Sequence, residues 1–232
     1  MAGLGGGFLI VPVLRLFFGV SPAFATADSL LFVFANTLAA SIAFIRRRLV
    51  DVRSGLIISI AAIPSSFAGA YVVRQLSGRN FDVIYGIFLI GVAAMILVRR
   101  NRRPEPREVS ARAQVLLEIA TGVFVGFMST LFGIGGGIVL VPILLIFFRL
   151  PAHTVVATSA FVVMLTSPVG VAAHGAYGDV DPWLAVPLML GGFVGGSVGA
   201  RLAQRMHSTH LEILMVALLF LAALALVAKH LL

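Results

Sequence analysis

Gly133-Ile134-Gly135-Gly136-Gly137, with Val141-Pro142 and Phe147-Phe148 behind it, decides how this chain is read, because the stretch occurs twice. The first copy is Gly3-Leu4-Gly5-Gly6-Gly7, followed by Val11-Pro12 and Phe17-Phe18, 130 residues earlier and without a gap. Ala27 and Ser29 match Ala157 and Ser159 at the same spacing. Val50-Asp51 matches Val180-Asp181, and Gly69-Ala70 matches Gly199-Ala200. An offset that stays constant over this much of the chain marks two copies of one unit.

The composition around the repeat sets the solvent. Of 232 residues, 60% are apolar, 11% are charged and none is Cys, with a mean hydropathy of +1.08. Soluble domains carry roughly 45–50% apolar and about 25% charged residues. Apolar runs of about 20 residues, the length that crosses a hydrocarbon core of about 30 Å, recur along almost the whole chain. These numbers exclude a soluble enzyme, a nucleic-acid-binding domain and a disulfide-stapled fold. They predict an all-α polytopic membrane protein. The 17 Lys+Arg against 9 Asp+Glu sit mainly in short loops between apolar runs, so the surplus reports topology and not a nucleic-acid partner. No charged segment with a short apolar stretch and a cleavage site opens the chain, so no removable signal peptide is expected.

Each unit reads as a similar series of helices. The second gives 113–131, a short helix at 138–149, then 153–174, 182–204 and 211–231. The first gives 8–18, 23–45, 54–74 and 81–98. The chain thus divides into a first transmembrane repeat (1–98), a basic, Pro-broken linker (99–112) and a second repeat (113–232). The second copy has about 18 apolar residues before its glycines, enough for a span, whereas Met1 and Ala2 alone precede Gly3. The first helix of the first repeat is missing from the pattern, and the expectation is a start upstream of Met1.

Charge gives an orientation. Arg46-Arg47-Arg48, Arg53 and the linker carry the densest positive charge and lie two spans apart, which makes that side, and the linker, cytoplasmic. The matching loop of the second copy, Gly178-Asp179-Val180-Asp181, is acidic, and the loop with Arg201, Arg205, His207 and His210 is basic. Equivalent loops with opposite charge bias are what an inverted repeat produces. A parallel repeat would make each glycine stretch part of one kinked span, and Arg74 and Arg79, outward-facing under inversion, count in its favour.

Three successive glycines cost about 1 kcal/mol each relative to Ala in a helix, so the stretch is read as a break. Lipid cannot satisfy the freed backbone groups; protein, water or a ligand must. A helix starting behind the break, at Phe8 or Ile138, points unpaired N–H groups and a positive dipole end into it. With no Cβ in the way, an anion can approach that backbone closely. Two such helix ends, one per repeat, would converge near the midplane, as in secondary transporters. Gly5, Gly6, Gly7, Gly135, Gly136 and Gly137 are therefore candidate substrate-binding residues. Gly191, Gly192, Gly195, Gly196 and Gly199, recurring every four residues on one face, are read as packing glycines.

The duplicated Gly-x-Gly-Gly-Gly and Val-Pro block, with Ala157-Thr158-Ser159 in the second copy, resembles the sulfite exporter family TauE/SafE over nearly the whole chain. The resemblance implies a multi-pass cell-membrane exporter of a small anion such as sulfite, sulfoacetate or another organosulfur anion. The missing helix before Gly3 departs from the family pattern.

Polar residues inside spans are the remaining candidates, since they face the bundle interior. Ser29, Thr158 and Ser159 can offer hydroxyls to anion oxygens, or hydrogen-bond between helices. Thr166 and Ser167, with their counterparts Asn36 and Thr37, read first as hydrogen-bonding between helices or to their own preceding turn, and second as donors to an anion. Asp28, the counterpart of Thr158, would repel an anion unless it carried a proton, which makes it the candidate for proton coupling; pairing near the interface is the alternative. Glu118 reads the same way with a weaker case. His174 reads as an interfacial histidine, Arg15 and Arg149 as snorkelling anchors, and Trp183 as part of the aromatic belt. The five scattered His residues show no metal or nucleophile spacing, so neither an enzyme nor a bound cofactor is expected. The functional reading is a secondary anion transporter working by alternating access; the alternative is a passive anion channel using the same helix ends.

Overall fold

The computed structural model describes residues 6–99, 110–148, 150–203 and 208–228, which form helices joined by short turns, with no strand among them. The helices are α1 (Gly7–Phe17), α2 (Pro22–Arg46), α3 (Val52–Gln75) and α4 (Gly78–Arg99), then α5 (Ala111–Phe132) and α6 (Gly137–Ile143). α6 runs into a π-helical turn at Leu144–Phe148, and α7 (Ala152–Gly175), α8 (Pro182–Ala203) and α9 (Ser208–Ala228) follow. Each starts within three residues of its expected position. The starts of α1 to α4 and of α6 to α9 are separated by 130 residues in each case. Among the described residues, five segments, in α2, α3, α4, α5 and α7, are long and apolar enough to cross a membrane.

Local chemistry sets the starts. Pro22 and Pro182 occupy first-turn positions where their missing N–H costs nothing. The Asp51 and Ser110 side chains accept from Ser54 N and Ala113 N, capping α3 and α5. α1 and α6 start instead behind glycines in the left-handed region, Gly6 at φ 71° and Gly136 at φ 77°.

α3 packs along α5, α2 lies between α7 and α8, α3 also meets α7, and α4 pairs with α9. On α5, a Cβ at Gly126 would stand 2.5 Å from Ala62 O and 2.5 Å from Ser65 Oγ, so the two backbones touch where glycine permits it. The expected packing glycines of α8 divide: Gly192 and Gly196 close on Phe32 and Asn36 of α2, whereas Gly191 and Gly195 face open space. A contiguous pair cannot put both members on one helix face. Of Gly199, only its place in α8 is described.

Two contacts fix helix directions. Thr26, in the first turn of α2, lies 3.4 Å from His174 Nε2 in the last turn of α7. Asp51 N, just past the end of α2, donates to Thr158 Oγ1 near the start of α7 at 3.0 Å. α2 and α7 therefore run antiparallel. α8 starts beside the start of α2, where Asp181 N donates to Asp28 Oδ1 at 3.2 Å.

Arg15 is not a snorkelling anchor. It is 6% exposed and grips Asp82 of α4 through Nε and Nη2, both at 2.8 Å, while Nη1 donates to Val20 O at 2.7 Å and Nη2 to Gly78 O at 3.0 Å. Beside this fork–fork pair, Phe81, Tyr85 and Phe88 of α4 pack on Phe132 of α5. The Tyr85 hydroxyl donates to Phe8 O at 3.3 Å. These contacts hold α1 and α4 together and bring the front of α1 against the end of α5. Arg149 lies outside the described residues.

Candidate functional site

The two glycine breaks meet. α5 ends at Gly133, whose left-handed φ of 67° turns the chain out of the helix, with its N–H bonded to Ser129 O. Gly135 and Gly136 follow at φ 71° and 77°, and α6 starts at Gly137. A residue with a Cβ held in that region costs roughly 1–2 kcal/mol, so glycine is demanded by conformation here. At Gly7 it is demanded by contact: a Cβ there would stand 2.5 Å from Gly133 O and 3.0 Å from Ile134 Cα. The start of α1 is thus laid directly on the turn between α5 and α6.

Ser29 joins them. Its hydroxyl lies 2.7 Å from Gly133 O and 3.3 Å from Gly7 O, one side chain between the carbonyls of both breaks. The first N–H groups of a helix have no partner within it, so the starts of α1 and α6 each bring such groups to the break. Phe32 and Asn36 of α2 stand over Gly6; Val125 and Ser129 of α5 stand over Gly136. Residues 131–140 are all buried.

The predicted residues are not all gathered there. Gly6, Gly7, Gly135, Gly136, Gly137 and Ser29 lie around the contact between the breaks; Gly5 lies outside the described residues. Thr158 is engaged with Asp51 N at the start of α3. Ser159 is fully buried on α7. Asp28 is fully buried on α2, with Oδ1 accepting from Asp181 N and Oδ2 without a hydrogen-bond partner. The Asp51–Thr158 and Asp181–Asp28 contacts join positions that correspond at the offset of 130, with a hydroxyl in one and a carboxyl in the other. Thr37 and Thr166 bond back to Val33 O and Val162 O, a purely helical use of the hydroxyl.

Sequence reasoning misread His174. It is fully buried, not interfacial, with Nε2 3.2 Å from Thr130 O. Asp179 Oδ2 lies 3.8 Å from its Nδ1 and 3.6 Å from Arg74 Nη1. Arg74 also donates to Tyr177 O at 3.0 Å and lies over the Tyr177 ring. A line of polar side chains therefore runs from half-exposed Arg74 through Asp179 and His174 to Thr26 and Thr130, beside the Gly133 turn. Position near a helix end suggested exposure for His174; only the packing of α2 and α5 over α7 buries it.

A sequence profile described as sulfite exporter TauE/SafE matches residues 1–226. The chain belongs to the sulfite exporter TauE/SafE family. Among its relatives, the probable membrane transporter protein YunE of Bacillus subtilis is 34% identical over 239 residues, covering 93% of this chain and 87% of its own. The probable membrane transporter protein MJ0441 of Methanocaldococcus jannaschii is 30% identical over 233 residues, covering 94% and 85%. A further one, YjnA of Bacillus subtilis, is 25% identical over 239 residues, covering 98% and 93%. No solved structure matches. This TauE/SafE chain is accordingly a multi-pass membrane protein of a transporter family.

Proposed function

We propose that this chain is a secondary transporter that moves a small sulfur oxyanion or organosulfonate, of the sulfite and sulfoacetate type, outward across the cell membrane. The observation that carries this is the meeting of two glycine breaks, each followed by the start of a helix whose first N–H groups have no partner within it. Such an end attracts a small anion without a buried cation, through N–H donors and the positive end of the helix dipole. Gly5, Gly6, Gly7, Gly135, Gly136 and Gly137 would line the site. Ser29 would hold the breaks in register, and Thr158 and Ser159 would contribute as the α7 helix shifts.

The two halves are read as inverted repeats, 1–98 and 113–232, joined by a cytoplasmic linker at 99–112. The shared helix starts and the antiparallel run of α2 and α7 support that reading, and so does the exchange of Asp51–Thr158 for Asp181–Asp28. Rocking one half against the other about the glycine contact would expose the site to each side in turn. With Arg46, Arg47, Arg48 and Arg53 on the cytoplasmic side, Asp28, His174 and Asp179 belong to the outer half.

Asp28 would carry the coupled proton. A buried carboxyl oxygen without a partner is costly when charged, and neutralisation by a proton relieves both that cost and the repulsion of the anion. In proteoliposomes, sulfite flux through the native chain is expected to rise with an imposed pH gradient. Asp28→Asn, which keeps the shape and removes titration, is expected to transport at a rate indifferent to the gradient. Gradient stimulation that survives in Asp28→Asn would remove Asp28 from the mechanism. Flux that neither saturates nor runs uphill would favour a passive channel.

A further inference from the structure

A second buried carboxyl group stands at the opposite end of the bundle from Asp28, outside the anion site described above. Glu118 lies two turns into α5 and is fully buried; among the described residues no cation is within ion-pair distance of it. Ser54, at the start of α3, has its Oγ 2.8 Å from Glu118 Oε1 and 2.8 Å from Asp51 Oδ2. Gln114 Nε2 adds a donor to Glu118 Oε1 at 3.2 Å, while Glu118 Oε2 is buried without a partner.

Hydrogen counting decides what this group holds. A serine hydroxyl has one hydrogen to donate, and an ionised carboxylate has none. Ser54 can fill only one of its two 2.8 Å contacts in full, and sharing its hydrogen, as Ser29 does between two neutral carbonyls, would leave two carboxylates facing each other across one hydroxyl. A carboxyl O–H on Asp51 or Glu118 supplies the second hydrogen and removes one of the two charges. Both carboxyls ionised would leave one contact a bare repulsion of lone pairs, beside an unpaired buried Oε2.

We propose that Asp51, Ser54 and Glu118 form a proton-binding site shared between the start of α3 and the first half of α5, at the arginine-rich end of the molecule. Loading takes one H+ from water and makes one carboxyl O–H; release returns it. Half-buried Asp51 gives the pair its route to solvent, and the surface pocket at the same end is lined by Arg53 and Arg112. The groups that face Glu118 are Asp51 and Ser54 from the α3 side and Gln114 from its own helix. From α7, Thr158 is tied to Asp51 N, so charge on the pair is felt where α3, α5 and α7 join. The coupling role of this site rests on the transport reading above; proton binding itself does not.

The test is infrared titration of the purified chain in the Asp28→Asn background, reading the C=O stretch of protonated carboxyl groups at neutral pH. A band is expected that is lost in Glu118→Gln and in Asp51→Asn and displaced in Ser54→Ala. Asp51→Asn, at a half-buried position, keeps the test open should Glu118→Gln fail to fold. No band in the parent, or a band indifferent to both carboxamide substitutions, overturns the site. A titration that moves when Na+ replaces K+ overturns it in favour of a sodium site. Because no substrate is added, a failure of sulfite as cargo leaves this result standing. In proteoliposomes, Glu118→Gln is expected to lose gradient-stimulated sulfite flux, and full stimulation in that variant would remove the site from coupling.

Discussion

Gly7→Ala is expected to yield a folded protein that has lost most of its sulfite flux. The added Cβ would stand 2.5 Å from Gly133 O, 2.6 Å from Val33 Cγ2 and 3.0 Å from Ile134 Cα, and two of those three are backbone atoms that cannot swing aside. Overpacking of this kind costs about 1–3 kcal/mol, and the strain is relieved by parting the start of α1 from the α5–α6 turn. If only about 1.4 kcal/mol of it falls on the transport step, flux drops about tenfold. Ser29 loses its bridge in the same movement. Gly91→Ala is the matched control, since a Cβ there meets nothing within 4 Å. Thermal melting separates the two contributions: both variants should melt as single transitions, and Gly91→Ala alone should transport normally. Full flux in Gly7→Ala would mean that contact between the breaks has no part in transport.

Asp82→Ala is expected to give the largest loss of stability. Asp82 is fully buried and receives two hydrogen bonds from Arg15, which is itself buried. Removing one partner of a buried ion pair typically costs about 3–5 kcal/mol, because the other charge loses its counter-ion without regaining water. Here the stranded guanidinium would lie between α1 and α4, so the start of α1 would lose its hold on the rest of the bundle. Circular dichroism melting in detergent reads the loss. The double variant Arg15→Met, Asp82→Leu is expected to recover much of it, since neither member then leaves a charge behind. A melting temperature unchanged in Asp82→Ala would show that the pair contributes nothing.

The parts of this molecule that were legible in the sequence are those written in neighbouring residues. Span lengths follow from apolar runs, helix starts from Pro22, Asp51, Ser110 and Pro182, and the breaks from glycine runs in which Gly6, Gly135 and Gly136 hold a conformation that no other residue adopts cheaply. The offset of 130 singled out Ser29 before any contact was known. Its work was not legible: it bridges Gly133 O and Gly7 O, and the first of these lies 104 residues further along the chain. Arg15 looked like a helix-end anchor because Asp82, 67 residues further on, becomes its neighbour only when α4 packs on α1. Glu118 was noted but weakly, because Ser54, which gives it its chemistry, lies 64 residues away on another helix. His174 was misread for the same reason. Helical periodicity says which face of a helix is buried, but not which residue of another helix it will meet.

The most direct test of the central claim is sulfite and sulfoacetate flux into proteoliposomes, comparing the native chain with Gly136→Leu. Gly136 holds φ at 77° and caps α6, and a Cβ there would lie 2.5 Å from Val125 Cγ1. Saturable flux of either anion in the native chain, abolished by the substitution while the protein remains folded, is the predicted result. Saturable flux that Gly136→Leu leaves unchanged would contradict the account, and would make these glycines a matter of helix packing alone.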